Sequence, residues 1–486
     1  MTELVKRIKR NARASIQNGN IYLLISFLAV TIFNCIMLYY HDTSRNEAQA
    51  LLLARGGTFS SIIKELSSEG QTLLYYLLLK FLTWADAGCG LGEMNFIACF
   101  VAFGISVFSS AAYLILAPFP KYIRAITVFS PAFVFYPVYA NSYHLVVFLF
   151  LLCMIAFKHR PKKPYAMAIC LAVFTHSHLM VIPLCIGMLV IWVADLYRTR
   201  TNVKSNVTAM LLPLASLILA FCFLSDASGT MTMPFLSVIL GYMTTYYGSV
   251  IAAIFAFLLL LIFIVINKNK MSKFSYLYIL TGVLILITQI LLQAYFFNTQ
   301  AELIFITCVT YIFIMWNIFT DNKLEITDSS LSVISGAAAT IFILLGILGT
   351  YPYIRENIEL DESSAKYVVS YITENLSTDD IIYISSDSMC STVVASCDDY
   401  IFISPFTNEE ASFAELNANI QYSVTADELK QLCKDKFGGS GYFYLIYCTS
   451  DDGNYFTQLG SDFERVCMTP DLSSSGENYM IFKIAY

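Results

Sequence analysis

Long apolar runs broken by short polar stretches fill the first 350 residues of the chain. The first extends from Ile21 to Tyr40, about 20 residues, enough to cross a hydrocarbon core of ~30 Å as a helix. Others lie near 95–116, 121–138, 142–158, 165–176, 179–196, 207–224, 248–267, 275–295, 301–319 and 329–351, which predicts about eleven crossings. The apolar stretch 72–84 is short and is expected to lie along the outer surface. After about residue 353 the pattern changes. Strand-like runs at Ile381–Ser385, Tyr400–Ile403, Tyr442–Tyr447 and Met480–Ile484 alternate with helix-like segments near 362–376 and 426–437. The expected fold is therefore a polytopic α-helical membrane domain, 1–352, with a long first outer loop at 41–94. A small extracytoplasmic α/β domain is expected at 353–486.

Composition supports the membrane assignment. Hydrophobic residues make up 57% of the 486 and charged residues only 13%, against roughly 25% charged in soluble domains. The 32 Tyr and 37 Phe suit anchoring at the lipid–water boundary. Charge distribution then orients the helices. Lys6, Arg7, Lys9 and Arg10 precede the first run, which is expected to be a retained signal anchor with its N-terminus in the cytoplasm. With 72–84 not crossing, the basic residues of Lys158–Lys163, Arg198–Lys204 and Lys268–Lys273 fall on the cytoplasmic side. The short loops around 139–141, 225–247 and 296–300 carry no Lys or Arg and fall outside, with the C-terminus. No basic stripe tracks a nucleic-acid backbone, so nucleic acid is not an expected partner. The 13 Cys show no metal-ligand spacing, and a Cys390–Cys397 bridge is only a weak candidate. No cofactor is implied.

Polar residues that interrupt this pattern are the candidates for chemistry. The first follow the first run directly: His41-Asp42-Thr43-Ser44-Arg45-Asn46-Glu47. A carboxylate at the membrane surface, Glu47 or Asp42, can take a proton from an acceptor hydroxyl. Equally, Asp42 or Ser44 can simply cap a helix beginning near Asn46. Glu69-Gly70 precedes the 72–84 stretch, where the glycine permits close backbone approach or makes an ordinary turn. Tyr139-Ala140-Asn141-Ser142-Tyr143-His144 is a polar knot between two apolar runs. Thr175-His176-Ser177-His178 is flanked by apolar runs on both sides, and its spacing is not that of a helical zinc pair. Gln289, Gln293 and Glu302 are explained by hydrogen bonding between helices. By the charge-derived topology the four main motifs all lie outside.

The order of these motifs resembles the GT-C superfamily, membrane glycosyltransferases of bacteria that use polyprenyl-phosphate-linked sugars. The residues that carry the resemblance are Arg45-Asn46-Glu47-Ala48-Gln49-Ala50, Leu52, Ala54-Arg55, then Glu69-Gly70 and Leu74 to Leu79. The Tyr139–Tyr143 knot is similar to that family's A-R-x-Y turn, and Thr175-His176 to its N-T-H turn. Three positions depart from the pattern: Asn46 stands where Asp is usual, Gln71-Thr72 where His-Pro is usual, and Asn141 where Arg is usual. An amide cannot act as a carboxylate base.

The resemblance implies transfer of a sugar from a polyprenyl-phosphate donor to a glycan, lipid or protein acceptor outside the cytoplasm. Glu47 is the expected base with Asp42 as its substitute. Arg45, Asn46, Arg55, Glu69, Asn141, Tyr143, His144, His176 and His178 are expected to bind substrate. Asn46 in place of the usual Asp leaves a second reading, a non-catalytic relative that binds lipid-linked sugar, and the polar Gln289 and Gln293 leave a third, a transporter of lipid-linked saccharides in envelope assembly.

Overall fold

A computed structural model describes residues 20–69, 73–85, 88–134, 136, 138–225, 234–247, 272–296, 301–321, 355, 363–386, 389–405, 407–411, 426–448, 463–470 and 477–486. The chain divides into two compact units. The first comprises Met1–Tyr39, Ser67–Leu74 and Val101–Ile354; the second comprises Tyr40–Leu66, Tyr75–Phe100 and Arg355–Tyr486. The boundary expected near 352 therefore falls beside the last segment of the second unit. That unit also draws in most of the expected outer loop.

Six described helices are long and apolar enough to cross a membrane: Asn20–Tyr40, Leu91–Leu116, Leu179–Thr199, Val203–Cys222, Phe274–Ala294 and Glu302–Asp321. The protein is thus polytopic. Asn20–Tyr40 exposes Leu24, Ile25, Leu28, Ile32 and Ile36, side chains that suit lipid rather than water. Leu73–Ala85, with 13 residues, rises only about 20 Å and is too short for the ~30 Å core. Tyr143–His159 and Pro164–Thr175 are the other short apolar helices. The expected runs at 248–267 and 329–351 lie outside the described residues.

Two stretches differ from the sequence reading. The run 121–138 is not one helix but two short pieces, Lys121–Thr127 and Pro131–Val134. Pro131 starts the second piece, because its ring fixes φ and offers no N–H to continue the first. Ile123, Ala125, Phe133, Val134 and Val138 are all buried. Irregular backbone at membrane depth is tolerated where protein surrounds it. The stretch 225–247, expected as a loop, contains the helix Phe235–Tyr247.

In the first unit, Pro164–Thr175 packs on Tyr143–His159 and on Val203–Ser225, and Lys273–Phe296 packs on Ile182–Thr199 and Ala301–Asp321. Two glycines permit the closest approaches. A Cβ on Gly187 would sit 2.5 Å from Ile285 Cδ1, and one on Gly282 would collide with Ile314 Cδ1. Small residues at such contacts are how helices associate where lipid removes the hydrophobic drive. The basic helix ends are neutralised internally. Buried Asp195 bridges Arg160 and Arg198, each at 3.0 Å, and Arg160 lies over the Phe157 ring.

The second unit is built on a five-stranded sheet of order β2-β1-β3-β5-β4. Its strands are β1 (Ile382–Ile384), β2 (Phe402–Ile403), β3 (Tyr442–Cys448), β4 (Phe463–Met468) and β5 (Tyr479–Ala485). β1 runs parallel to β2 and β3, whereas β5 runs antiparallel to β3 and β4. Alternate residues feed two cores. Ile382, Ile384, Ile446 and Ile481 pack on one face with Val368 and Ile372 of the helix Ala365–Asn375. Tyr383, Phe443, Leu445 and Phe482 pack on the other with Leu429 and Cys433 of the helix Ala426–Phe437. The four strands read from sequence are β1, β2, β3 and β5. β4 was missed because its side chains are half-exposed or exposed throughout, so it shows no apolar stripe. All 13 Cys are free thiols, so the Cys390–Cys397 bridge does not form.

Candidate functional site

The polar residues that follow the first helix form a compact cluster within the second unit. After Tyr40 the chain extends over His41–Ser44 and then enters the helix Arg45–Gly56. Ser44 is the N-cap, and its Oγ accepts from Glu47 N–H. Glu47 Oε2 accepts in return from Ser44 N–H and Oγ–H, each at 2.8 Å. Serine followed three residues later by glutamate is the reciprocal pattern that satisfies two orphan amides at a helix start. The other oxygen, Oε1, lies 3.0 Å from His41 Nε2. The His41 and Glu47 side chains are only 5% and 1% exposed. Cys99, on the helix Leu91–Leu116, directs its thiol at the same Oε1, 3.9 Å away.

The two groups hold each other charged. Burial by itself would raise the Glu47 carboxyl, but His41 and the Ser44 hydrogen bonds outweigh it and the net shift is downward. Burial likewise works against a charged His41, yet Glu47, aided by Cys99, carries it well above the usual imidazole value. The helix N-terminus adds its own preference for a negative group in the first turn. Glu47 is thus an ionised carboxylate with both oxygens engaged.

The other predicted residues of this segment face different partners. Asp42 is more open, at 37% exposed, with Oδ2 3.6 Å from Lys366 Nζ. Arg45 Nε lies 3.9 Å from Glu477 Oε1, and its guanidinium touches the Met389 sulfur. Glu477 is buried, which pushes its carboxyl up, while Arg45 pulls the other way. Asn46 is exposed. Arg55 pairs with Asp398 at 3.4 Å, and the second Asp398 oxygen accepts from Leu91 N–H. The Glu69 side chain and residues 70–72 lie outside the described residues.

A second group of predicted residues lies in the first unit and is aromatic in character. Asn141 Oδ1 accepts from Tyr143 N–H at 3.1 Å, fixing the turn into Tyr143–His159. The Tyr143 ring stacks on Tyr136 with centroids 4.2 Å apart and planes 16° apart. Phe305 and His178 flank it at 5.1 Å each. His178 Nδ1 accepts from Met180 N–H at 3.1 Å and so caps the short turn Leu179–Val181. An accepting Nδ1 assigns the ring proton to Nε2. His144 is buried and lines a small cleft with Ser106, Tyr136 and Tyr143. His176 is half-buried at the end of Pro164–Thr175, and its carbonyl accepts from Leu74 N–H at 3.1 Å. The structure therefore groups Asn141, Tyr143, His144 and His178, whereas Asp42, Arg45 and Glu47, neighbours in sequence, each meet different partners.

Sequence reasoning named His41 in the candidate stretch without giving it a role, and did not single out Cys99, Lys366 and Glu477 in the second unit. The Ser44–Glu47 spacing does announce a capping box, but nothing local announces partners drawn from positions 99, 366 and 477.

No protein-family profile matches the chain, and no curated protein matches it. Among solved structures, the chain is similar to the crystal structure of ArnT from Cupriavidus metallidurans in the apo state, with a TM-score of 0.49 and 11% identity. It is similar to the same protein bound to undecaprenyl phosphate, with a TM-score of 0.46 and 11% identity. Both matches cover 95% of this chain and 97% of the other.

Proposed function

We propose that this protein is an integral-membrane glycosyltransferase that moves a sugar from a polyprenyl-phosphate carrier to an extracytoplasmic glycan, lipid or protein acceptor. The observation that carries the reading is the segment leaving the first apolar helix. There a buried His41–Glu47 pair lies beside a more open carboxylate, Asp42, which meets Lys366, and Arg45 opens the helix that follows. A lipid-linked donor keeps its tail in the bilayer, which suits chemistry at the exit of a membrane helix.

In this mechanism Asp42 takes the proton of the acceptor hydroxyl as the oxygen attacks the anomeric carbon. The bond from that carbon to the phosphate oxygen breaks, and polyprenyl phosphate leaves with the electron pair. Lys366 and Arg45 stabilise the developing phosphate charge. A single displacement of this kind inverts the anomeric centre. Accessibility favours Asp42 over Glu47, whose two oxygens are occupied. Glu47 instead fixes the loop through His41 and Ser44. Asn46 and Arg55 are assigned to sugar and phosphate binding on the same segment. Glu69, Asn141, Tyr143, His144, His176 and His178 are assigned to substrate contacts in the membrane domain. The proposed orientation places the N-terminus in the cytoplasm and the tail outside.

The test uses the full-length protein in liposomes with a polyprenyl-phosphate sugar and a panel of acceptors, reading release of free polyprenyl phosphate. Asp42→Asn is expected to lower the rate by about 10²–10⁴. Retention of the wild-type rate by both Asp42→Asn and Glu47→Gln would sink the assigned mechanism. A second reading, a non-catalytic binder of lipid-linked sugar, draws on two observations. Asn46 replaces the usual Asp, and both Glu47 oxygens are committed. It predicts saturable donor binding with no release from any acceptor.

A further inference from the structure

We propose that His41, Glu47 and Cys99 form a binding site for a borderline divalent cation of the zinc class. The inference goes beyond the transferase reading and does not depend on it. One ring nitrogen of His41, one carboxylate oxygen of Glu47 and the Cys99 sulfur all lie within 4.8 Å of one another. His41 Nε2 and Glu47 Oε1 are 3.0 Å apart, and Cys99 Sγ is 3.9 Å from the same oxygen. Zinc bonds of about 2.0–2.2 Å to nitrogen and oxygen and 2.3 Å to sulfur place tetrahedral ligand atoms roughly 3.3–3.7 Å apart. The first edge must open by a few tenths of an ångström and the second must close by about as much. Rotation about side-chain bonds supplies both.

Three features favour a cation over a plain charge pair. The Cys99 thiol converges on the same Glu47 oxygen that the imidazole reaches. It completes a three-ligand set. The donors are one nitrogen, one oxygen and one sulfur, a mixture that selects zinc over magnesium or calcium. Lastly, Glu47 Oε2 is locked by two hydrogen bonds from Ser44, which leaves Oε1 aimed at the cluster. Outer partners of this kind orient a ligating carboxylate. The three ligands come from the extended segment after the first helix, the first turn of Arg45–Gly56, and Leu91–Leu116. A bound cation would pin these stretches together and leave one coordination position for water or a substrate oxygen.

Metal content decides the matter without any transfer assay. The full-length protein, purified in detergent and stripped of metal, is loaded with zinc and washed, and bound metal is measured by mass spectrometry. About one zinc per chain is expected. Cys99→Ser and His41→Gln are each expected to bind at least about tenfold more weakly, and Cys35→Ser to bind as the unaltered protein does. Cobalt in place of zinc is expected to show a thiolate-to-metal charge-transfer band that Cys99→Ser abolishes. This spectrum of the unaltered protein needs no variant to fold. Sub-stoichiometric zinc, equal binding by Cys99→Ser, or bound cobalt without the thiolate band would each overturn the proposal. None of these outcomes bears on whether Asp42 is a base.

Discussion

The two groups of predicted site residues are held by different forces. Around His41–Glu47 every polar atom that matters is matched by an opposite charge or a directed hydrogen bond, and the side chains are short. Around Tyr143 the positions are set by ring faces: Tyr136, Phe305 and His178 surround one aromatic residue, with a few hydrogen bonds at the edges. The first arrangement is rigid but loses much when one partner is removed. A buried ion without its counterpart is strongly unfavourable. The second spreads its stabilisation over many weak contacts, so it yields gradually. A site that must hold a proton acceptor in place benefits from the first. A surface that must accommodate a sugar or an isoprenoid benefits from the second.

The sharpest way to break this contrast is Glu47→Ala. It leaves His41 buried without its carboxylate and strips two Ser44 donors of their acceptor. We expect a loss of about 3–5 kcal/mol, read by thermal unfolding of the detergent-solubilised protein. A loss below that of Tyr143→Leu would reverse the ranking of the two groups. Tyr143→Leu removes the stacking on Tyr136 while keeping apolar volume, and is expected to cost about 1 kcal/mol. The smallest effect is read against pH in metal-free protein. The His41 value is raised, so its stabilisation is fully present below the unfolded value of 6.5 and fades as pH climbs through the raised folded value. The Glu47 value is lowered, so its share is present above the unfolded value of 4.5 and fades as pH falls through the lowered folded one. The difference in melting temperature between the protein and His41→Gln should be widest between 4.5 and 6.5 and narrow on the alkaline side. A difference that grows with rising pH would show that His41 is held neutral.

Hydropathy alone revealed the membrane class, because crossing lipid demands long apolar helices whatever their packing. It failed at 121–138, where apolar residues are equally continuous but Pro131 divides the helix. Alternating apolar positions revealed four strands of the tail and missed β4, none of whose residues is fully buried. At the candidate site the capping pair Ser44–Glu47 was visible because it is local. The partners that decide what Glu47 does, His41 and Cys99, were not. His41 lies 6 positions away and was read without a role, whereas Cys99 lies 52 positions away and only tertiary folding brings it in. Glu47 was expected to be the base. Its geometry shifts that role to Asp42 in the proposal, a choice that exposure decides and that residue type alone cannot make.

The composition of the second unit bears on how the protein is made. Its first segment, Tyr40–Leu66, leaves the ribosome early, while Arg355–Tyr486 follows roughly 290 residues later. At about 5–20 residues per second that gap lasts some 15–60 s. Throughout it, Ala48, Leu51 and Ala54 lack the tail segments that complete their unit. In the interval the helix Arg45–Gly56 has its own N-cap but not the packing of the tail, and an isolated helix of 12 residues is marginal in water. The Ser44–Glu47 pair, formed within four residues, is available from the first moment. The buried face of the helix, Ala48, Leu51 and Ala54, is completed only when the tail is present.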